Sequence, residues 1–217
     1  VKNLEINKAK KEKKKYGIYI YMLIPKQYKY MFGDDLEQDC HFLFCYLEDM
    51  NLPTSNNRKE LNPVITSSGN HARPQSSLFG LTSFSTYGGK VGEEYKREES
   101  EKYKGYYKSK LMLEYPEMND VFKEFTDKYI PNFKYQQIII NKNFQCLPHK
   151  DKNNVGVSNI IALGDYTGGE LMIQANGYVR KCDIHHKFKE FNGCIHTHWV
   201  EPFTPTRYSL VFYNIID

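Results

Sequence analysis

The sequence predicts an α+β domain in which N-terminal helices support a C-terminal jelly-roll barrel. Two observations carry this reading. Residues 117–130, EMNDVFKEFTDKYI, place Met118, Val121, Phe122, Phe125, Tyr129 and Ile130 at i, i+3, i+4 and i+7 spacings. That is one apolar stripe of an amphipathic helix, which Pro131 ends. From Tyr135 the texture changes to short segments rich in Ile, Val, Tyr and Phe: YQQIIIN, SNIIALGDY, GELMIQ, YVRKCDIHH and RYSLVFYNI. The turns VGV, TGG, ANG and FNG punctuate them. Regularly spaced short strands after a helical half fit a barrel with a small-molecule site in its mouth.

The first half is read in order. Residues 1–15 form a basic tail, partly helical at most, and residues 16–217 form a single domain in which 16–134 support the 135–217 core. Alternating Tyr and Ile over 16–25 read as a first strand closed by Pro25. Within Lys26–Met50 the run HFLFCYLEDM reads as a short helix with an apolar face, and 51–70 as loop. The stretch Arg73–Gly89 mixes aromatics with Gly and Ser. It leads into the charged span Lys90–Lys110, where seven basic and five acidic residues interleave with Tyr95, Tyr103, Tyr106 and Tyr107. Such a span serves as a mobile lid, as a nucleic-acid-facing surface with stacking rings, or as an ordinary solvated loop.

At 217 residues, 40% hydrophobic and 15% aromatic, the chain is long enough for one sizeable core. It holds no run of eighteen apolar residues, so no transmembrane helix is expected. GIYIYMLIP is too short, and lacks the small-residue cleavage site, for a secretory leader. The chain begins with Val, as a trimmed chain with further sequence upstream would. The net charge of +4 is uneven: residues 1–15 hold seven Lys against two Glu, and the rest is close to neutral. A basic tail attracts nucleic acid or anionic surfaces, or is simply a solvated leader. Five cysteines (Cys40, Cys45, Cys146, Cys182, Cys194) with no CxxC pair argue against a disulfide scaffold or a cysteine zinc site. Buried free thiols in a reducing, intracellular compartment are expected, whether nuclear or cytoplasmic.

The stretch Pro148–Asn154, PHKDKNN, carries the chemistry. His149 and Asp151 are two apart at the end of a strand-like segment, so imidazole and carboxylate converge on one face. His198 follows 47 residues later, and Arg207 nine after that. Two histidines and a carboxylate on one face of a metal leave the other face open, as non-haem Fe(II) oxygenases require. Arg207 and Ser209 share a strand face, so guanidinium and hydroxyl can hold one carboxylate. Zinc hydrolases use similar triads but need no such anchor. His196 competes with His198 for the distal position or lies behind it; His185, His186, His41 and His71 read as core or surface residues. Trp199 is packing or pocket wall.

These residues resemble the double-stranded β-helix (jelly-roll, cupin-like) dioxygenases that use Fe(II) and 2-oxoglutarate. Within them the chain looks most like the TET/JBP branch, the 5-methylpyrimidine oxygenases. HKDKNN, LGDYTGGEL (Leu163–Leu171) and FNG…HWVEPFTPTRYSLVFY carry the likeness, which covers 135–217 well and the first half loosely. The resemblance implies His149, Asp151 and His198 as iron ligands and Arg207 and Ser209 as the anchor of the distal carboxylate of 2-oxoglutarate. It also implies Asn141 or Asn143 as a hydrogen-bond donor to that cosubstrate, although the local spacing departs from the Asn-x-Tyr pattern of AlkB-type relatives. Asn154 and Arg73 are candidate substrate contacts; Asn153 and Asn154 also read as turn caps.

The activity implied is oxidative decarboxylation of 2-oxoglutarate coupled to oxidation of the methyl group of 5-methylcytosine or thymine in DNA, with the base flipped out of the duplex. A protein (prolyl or lysyl) hydroxylase uses the same core and is the alternative. A non-catalytic binding module comes third, and the intact triad argues against it.

Overall fold

In a computed structural model, described here for residues 32–33, 35–82, 86–87, 90–91 and 106–215, helices pack on one face of a two-sheet β-structure. The expected tail at 1–15, the expected strand at 16–25 and most of the charged span lie outside those residues. The first helix, α1, runs Leu36–Glu48 inside the expected Lys26–Met50 window. The Asp35 side chain accepts the Glu37 N–H at 2.9 Å, and Glu37 and Asp39 sit in the first turn, where carboxylates meet the positive end of the helix dipole. A short turn at Lys59–Leu61 is the only helical element in the expected 51–70 loop among the described residues.

Strand β1, Gln75–Thr82, occupies a stretch to which the sequence assigns no element, because QSSLFGLT mixes Ser and Gly with only three apolar residues. After it come the two-residue strands β2 (Thr86–Tyr87), β3 (Lys90–Val91) and β4 (Tyr107–Lys108), then α2 (Lys110–Glu114). The amphipathic helix is α3, Met118–Tyr129, with Met118, Val121, Phe122, Phe125 and Thr126 buried. Strands β5 (Gln137–Lys142), β6 (Val155–Leu163), β7 (Leu171–Ala175), β8 (Tyr178–Cys182), β9 (Lys189–Phe191), β10 (Thr197–Val200) and β11 (Tyr208–Asn214) complete the chain. VGV, expected as a turn, is instead the opening of β6, and β9 and β10 are too short to stand out by composition.

The larger main sheet has the order β4-β1-β5-β11-β6-β9 and the smaller β10-β7-β8, while among the described residues β2 and β3 pair only with each other. A bridge between His149 and His198 adds the 149 segment beside β10. From β5 onward the chain therefore crosses repeatedly between the two sheets, which is the general architecture of a double-stranded β-helix.

Strand alternation gives the larger sheet two different faces. Phe79, Ile138, Ile140, Ile161, Leu163, Tyr208, Leu210 and Phe212 face α1 and α3 and form the main core. Phe122 of α3 is fully buried, its ring 5.2 Å from Phe79 and 6.3 Å from Phe212, both edge-on. Asp39 of α1 ties the helices together: it is 2% exposed and accepts from Lys128 at 3.3 Å and from the Tyr129 hydroxyl. On the opposite face Ser76, Asn141, Ser209 and Ala162 stand in register across β1, β5, β11 and β6. That face, with part of the smaller sheet, encloses a cavity of about 700 Å³. No helix among the described residues is long and apolar enough to cross a membrane.

Because Phe122 joins the helical layer to two strands, Phe122→Ala is expected to cost about 3–5 kcal/mol. Urea titration followed by far-UV circular dichroism checks this; a loss below about 1 kcal/mol would mean that the layer is not held there.

Candidate metal centre and cosubstrate cavity

Backbone pairing brings the three ligands together. His149 N–H donates to His198 C=O at 3.0 Å, and His198 N–H returns the bond to His149 C=O at 2.9 Å. Two residues on, Asp151 N–H donates to Gly193 C=O at 3.0 Å. The expected strand end at 149–151 is thus a single bridge rather than a named strand, yet the side chains converge as predicted. His149 Nε2 lies 3.8 Å from Asp151 Oδ1 and His198 Nε2 lies 3.8 Å from Asp151 Oδ2. One donor atom from each of the three falls within 4.8 Å of the others, the only such cluster among the described residues.

Both imidazoles are prepared as metal ligands. The Nδ1 atoms face backbone carbonyls, of Leu147 at 2.8 Å for His149 and of His196 at 3.1 Å for His198. A carbonyl can only accept, so each Nδ1 carries the proton and each Nε2 keeps its lone pair. Burial, and then the neighbouring His198, pull the His149 pKa down from 6.5 to about 4; burial likewise lowers that of His198. Neutral imidazoles are what a divalent cation needs. His149 Nε2 is buried with no hydrogen-bond partner among the described residues, an orphan that a metal ion would satisfy.

The turn after β9 shapes the carboxylate's place. Asn192 Oδ1 accepts from the N–H groups of Cys194 and Ile195, folding FNGC back on itself. A Cβ on Gly193 would meet Asp151 Oδ2 at 2.1 Å, so only glycine admits the carboxylate there. Asp151 Oδ2 also accepts from Asn154 Nδ2 at 2.9 Å. Because a carboxylate accepts only, the amide must turn its nitrogen toward Asp151.

The second predicted group is as deeply set. Arg207 is 1% exposed, and its Nε, Nη1 and Nη2 are buried without a hydrogen-bond partner among the described residues. Its guanidinium lies 5.3 Å from the ring centre of Tyr166 and 5.1 Å from that of Phe203. Gly169, at φ +70°, leaves the space that this side chain fills; a Cβ there would meet Arg207 Nε at 2.9 Å. A buried, unpaired cation is costly unless an anion joins it, so these orphan donors fit a carboxylate ligand. On the cavity face Ser76 Oγ donates to Asn141 Oδ1 at 2.7 Å, and Asn141 Nδ2 donates to Ser209 Oγ at 3.2 Å.

Most of the predicted site residues meet here: His149, Asp151, Asn154, His198, Asn141 and Ser209 line the cavity. Two do not. Asn143 is exposed at φ +48°, and its Oδ1 accepts the Arg207 backbone N–H at 2.8 Å; it fixes the segment that carries Arg207 and does not line the cavity. Arg73 is exposed just ahead of β1, away from the cavity wall. The cavity arginine is Arg58, from a polar loop in which no periodicity marks it. His196 serves through its backbone carbonyl rather than its ring. Trp199 points to the opposite face of β10 from His198 and donates to Glu201 at 2.8 Å. Ser76 escapes the sequence reading along with its strand; Tyr166 and Gly169 lie inside LGDYTGGEL, where the aromatic and the paired glycines are the available signal.

Gly193→Ala is expected to weaken Fe(II) binding about tenfold or more while the fold persists, as anaerobic calorimetric titration would show. The lowered His149 pKa makes a second prediction. Between pH 6.5 and about 4 the unfolded chain takes up a proton that the folded imidazole refuses, so the metal-stripped chain loses stability as pH falls through that window. Melting curves in that range should show the fall, and His149→Gln should flatten it.

No protein-family model and no curated protein matches the chain. Among solved structures it is similar to NgTET1 in complex with 5mC DNA, at 15% identity and a TM-score of 0.43, over 64% of this chain and 60% of that one. It is also similar to a Pseudomonas putida prolyl-4-hydroxylase, at 16% identity and a TM-score of 0.33, over 49% of this chain and 65% of that one. In both cases the match spans less than two thirds of the solved chain. The chemistry rests instead on the donor set: two histidines and one carboxylate converge on one point, the facial triad found in non-haem Fe(II) oxygenase active sites, those of the 2-oxoglutarate-dependent dioxygenases among them.

Proposed function

We propose that the chain oxidises the methyl group of a 5-methylpyrimidine base in DNA, 5-methylcytosine in preference to thymine, with 2-oxoglutarate as cosubstrate. One catalytic domain over residues 16–217 carries the activity, with 1–15 as a basic tail. When bound, Fe(II) and 2-oxoglutarate supply the oxidative decarboxylation that activates dioxygen toward an unactivated C–H bond. The residues of the chain bind, orient and exclude water. His149, Asp151 and His198 hold the metal by one face, and Arg207, with Ser209 and Asn141 nearby, holds the cosubstrate. Tyr166 and Phe203 keep the buried guanidinium out of water.

The observation that carries the choice of base is the orientation of Asn154. Its amide nitrogen is committed to Asp151 and to Ser158 Oγ at 3.2 Å, which leaves Oδ1 as the atom it has to offer. An acceptor beside the metal suits the exocyclic amine of cytosine and not the carbonyl of thymine. A cavity of about 700 Å³ has room for a flipped base beside a five-carbon keto acid. The TET/JBP-like texture of HKDKNN and LGDYTGGEL supports the same branch.

The test is mass spectrometry of nucleosides after incubation with Fe(II), 2-oxoglutarate and methylated DNA, with succinate measured alongside. Succinate should rise in step with loss of 5-methylcytosine, and oxidised cytosine should outweigh oxidised thymine. Hydroxylation of a prolyl peptide with DNA untouched would make the chain a protein hydroxylase. Arg207→Ala should raise the 2-oxoglutarate KM about 10- to 100-fold, the worth of a charge-assisted pair, with a far smaller change in the Fe(II) requirement. An unchanged KM would place the anchor elsewhere.

A further inference from the structure

The mouth of the cavity carries three cations from two separate parts of the chain. Along 149–152 the metal ligands alternate with lysines: His149 and Asp151 are half-buried, Lys150 and Lys152 are exposed, and all four belong to the cavity wall. Arg58 comes from the polar loop before β1. Leu147 N–H donates to Leu61 C=O at 2.8 Å, tying that loop to the segment that enters the metal site. The Arg58 guanidinium carbon then lies 5.6 Å from the ring centre of Phe144. None of the three cations takes part in an ion pair among the described residues. Besides the metal ligand Asp151, the one carboxylate on the wall is Glu60. The rim is therefore positive around a centre that takes a neutral base.

That arrangement has a specific chemical match. A nucleotide within a strand carries a phosphate on each side, so a base placed in the cavity brings anions to the rim from two directions. A free nucleoside brings none, and the backbone of a peptide carries no charge. Guanidinium forks and rotatable ammonium groups are both good phosphate partners, and an arginine braced on an aromatic ring loses less freedom on binding. Resting on the base-oxidation reading above, we propose that Arg58, Lys150 and Lys152 grip the phosphates flanking the target nucleotide. The enzyme then accepts its base as part of a polynucleotide strand and not as a free nucleoside.

Fluorescence anisotropy with a labelled, methylated single-stranded oligonucleotide over a series of salt concentrations tests this on the full chain loaded anaerobically with Fe(II). The N-terminal tail contributes equally to parent and variants, so differences report the rim alone. Replacing both lysines (Lys150→Gln with Lys152→Gln) should reduce the slope of log affinity against log salt by about 1.4, or about 0.7 for each phosphate that is no longer neutralised. Affinity at low salt should fall about tenfold or more, and the double Lys→Arg variant should keep the parent slope. Arg58→Gln should act in the same direction, with Arg58→Lys recovering much of the affinity. Slopes and affinities equal to the parent's in the Gln variants would overturn the proposal. So would parent turnover of free 5-methyldeoxycytidine as fast as of the oligonucleotide. Succinate formation separates the two readings: rim-dependent binding without succinate counts for the rim and against base oxidation, and oxidation of DNA insensitive to all three variants does the reverse.

Discussion

Two backbone hydrogen bonds, exchanged between His149 and His198, hold the centre of this molecule together. They join segments 49 residues apart in sequence, and each lies at a ligand rather than near one. The geometry follows from pairing: with two residues locked opposite each other, both imidazoles emerge on the same side, and the residue two further along presents its side chain there as well. The remaining bonds refine this zipper. Asp151 N–H reaches Gly193, and the Cys194 thiol donates to Asn154 C=O at 2.8 Å, fixing the rest of the turn against the metal-binding segment. Loss of register here would scatter the ligands before it unfolded the sheet.

The two faces of the larger sheet divide the labour. Toward the helices, large apolar side chains interlock and supply most of the buried surface. Toward the cavity, the same strands present Ser76, Asn141 and Ser209 in one row, joined by hydrogen bonds so that none is left unsatisfied in the dry interior. Rigidity on the first face lets the second carry polar groups at a cost the core offsets. Arg207 lies two residues before Ser209, just ahead of β11, and is buried.

How much of this was legible in the sequence depended on whether a local pattern carried it. The stripe of α3 showed because 3.6-residue periodicity survives without tertiary context, and β5, β6, β7 and β11 showed because apolar, β-branched runs mark buried strands. The ligands and Arg207 were legible because strand alternation couples i to i+2. Asn143 failed on that very rule: it shares a parity with Asn141, but the strand ends at Lys142 and the chain turns left-handed, which swings its amide to the Arg207 backbone. Arg58 and β1 were illegible for another reason. Each is placed by long-range partners, Leu147 reaching the loop of the former and β5 pairing with the latter, and nothing within their own segments records those partners.

The solitary guanidinium of Arg207 has a consequence outside catalysis. A folded chain that encloses an unmatched positive charge is less stable than its core alone would make it, and an anion that seats there only in the folded state restores the difference. By mass action, a ligand at a hundred times its dissociation constant adds about 2.7 kcal/mol to folding stability, a large share of what holds a domain of this size together. The concentration of any anion that seats on Arg207 thereby becomes a term in the protein's resistance to proteolysis: with the charge matched the chain opens less often, and with it bare, more often.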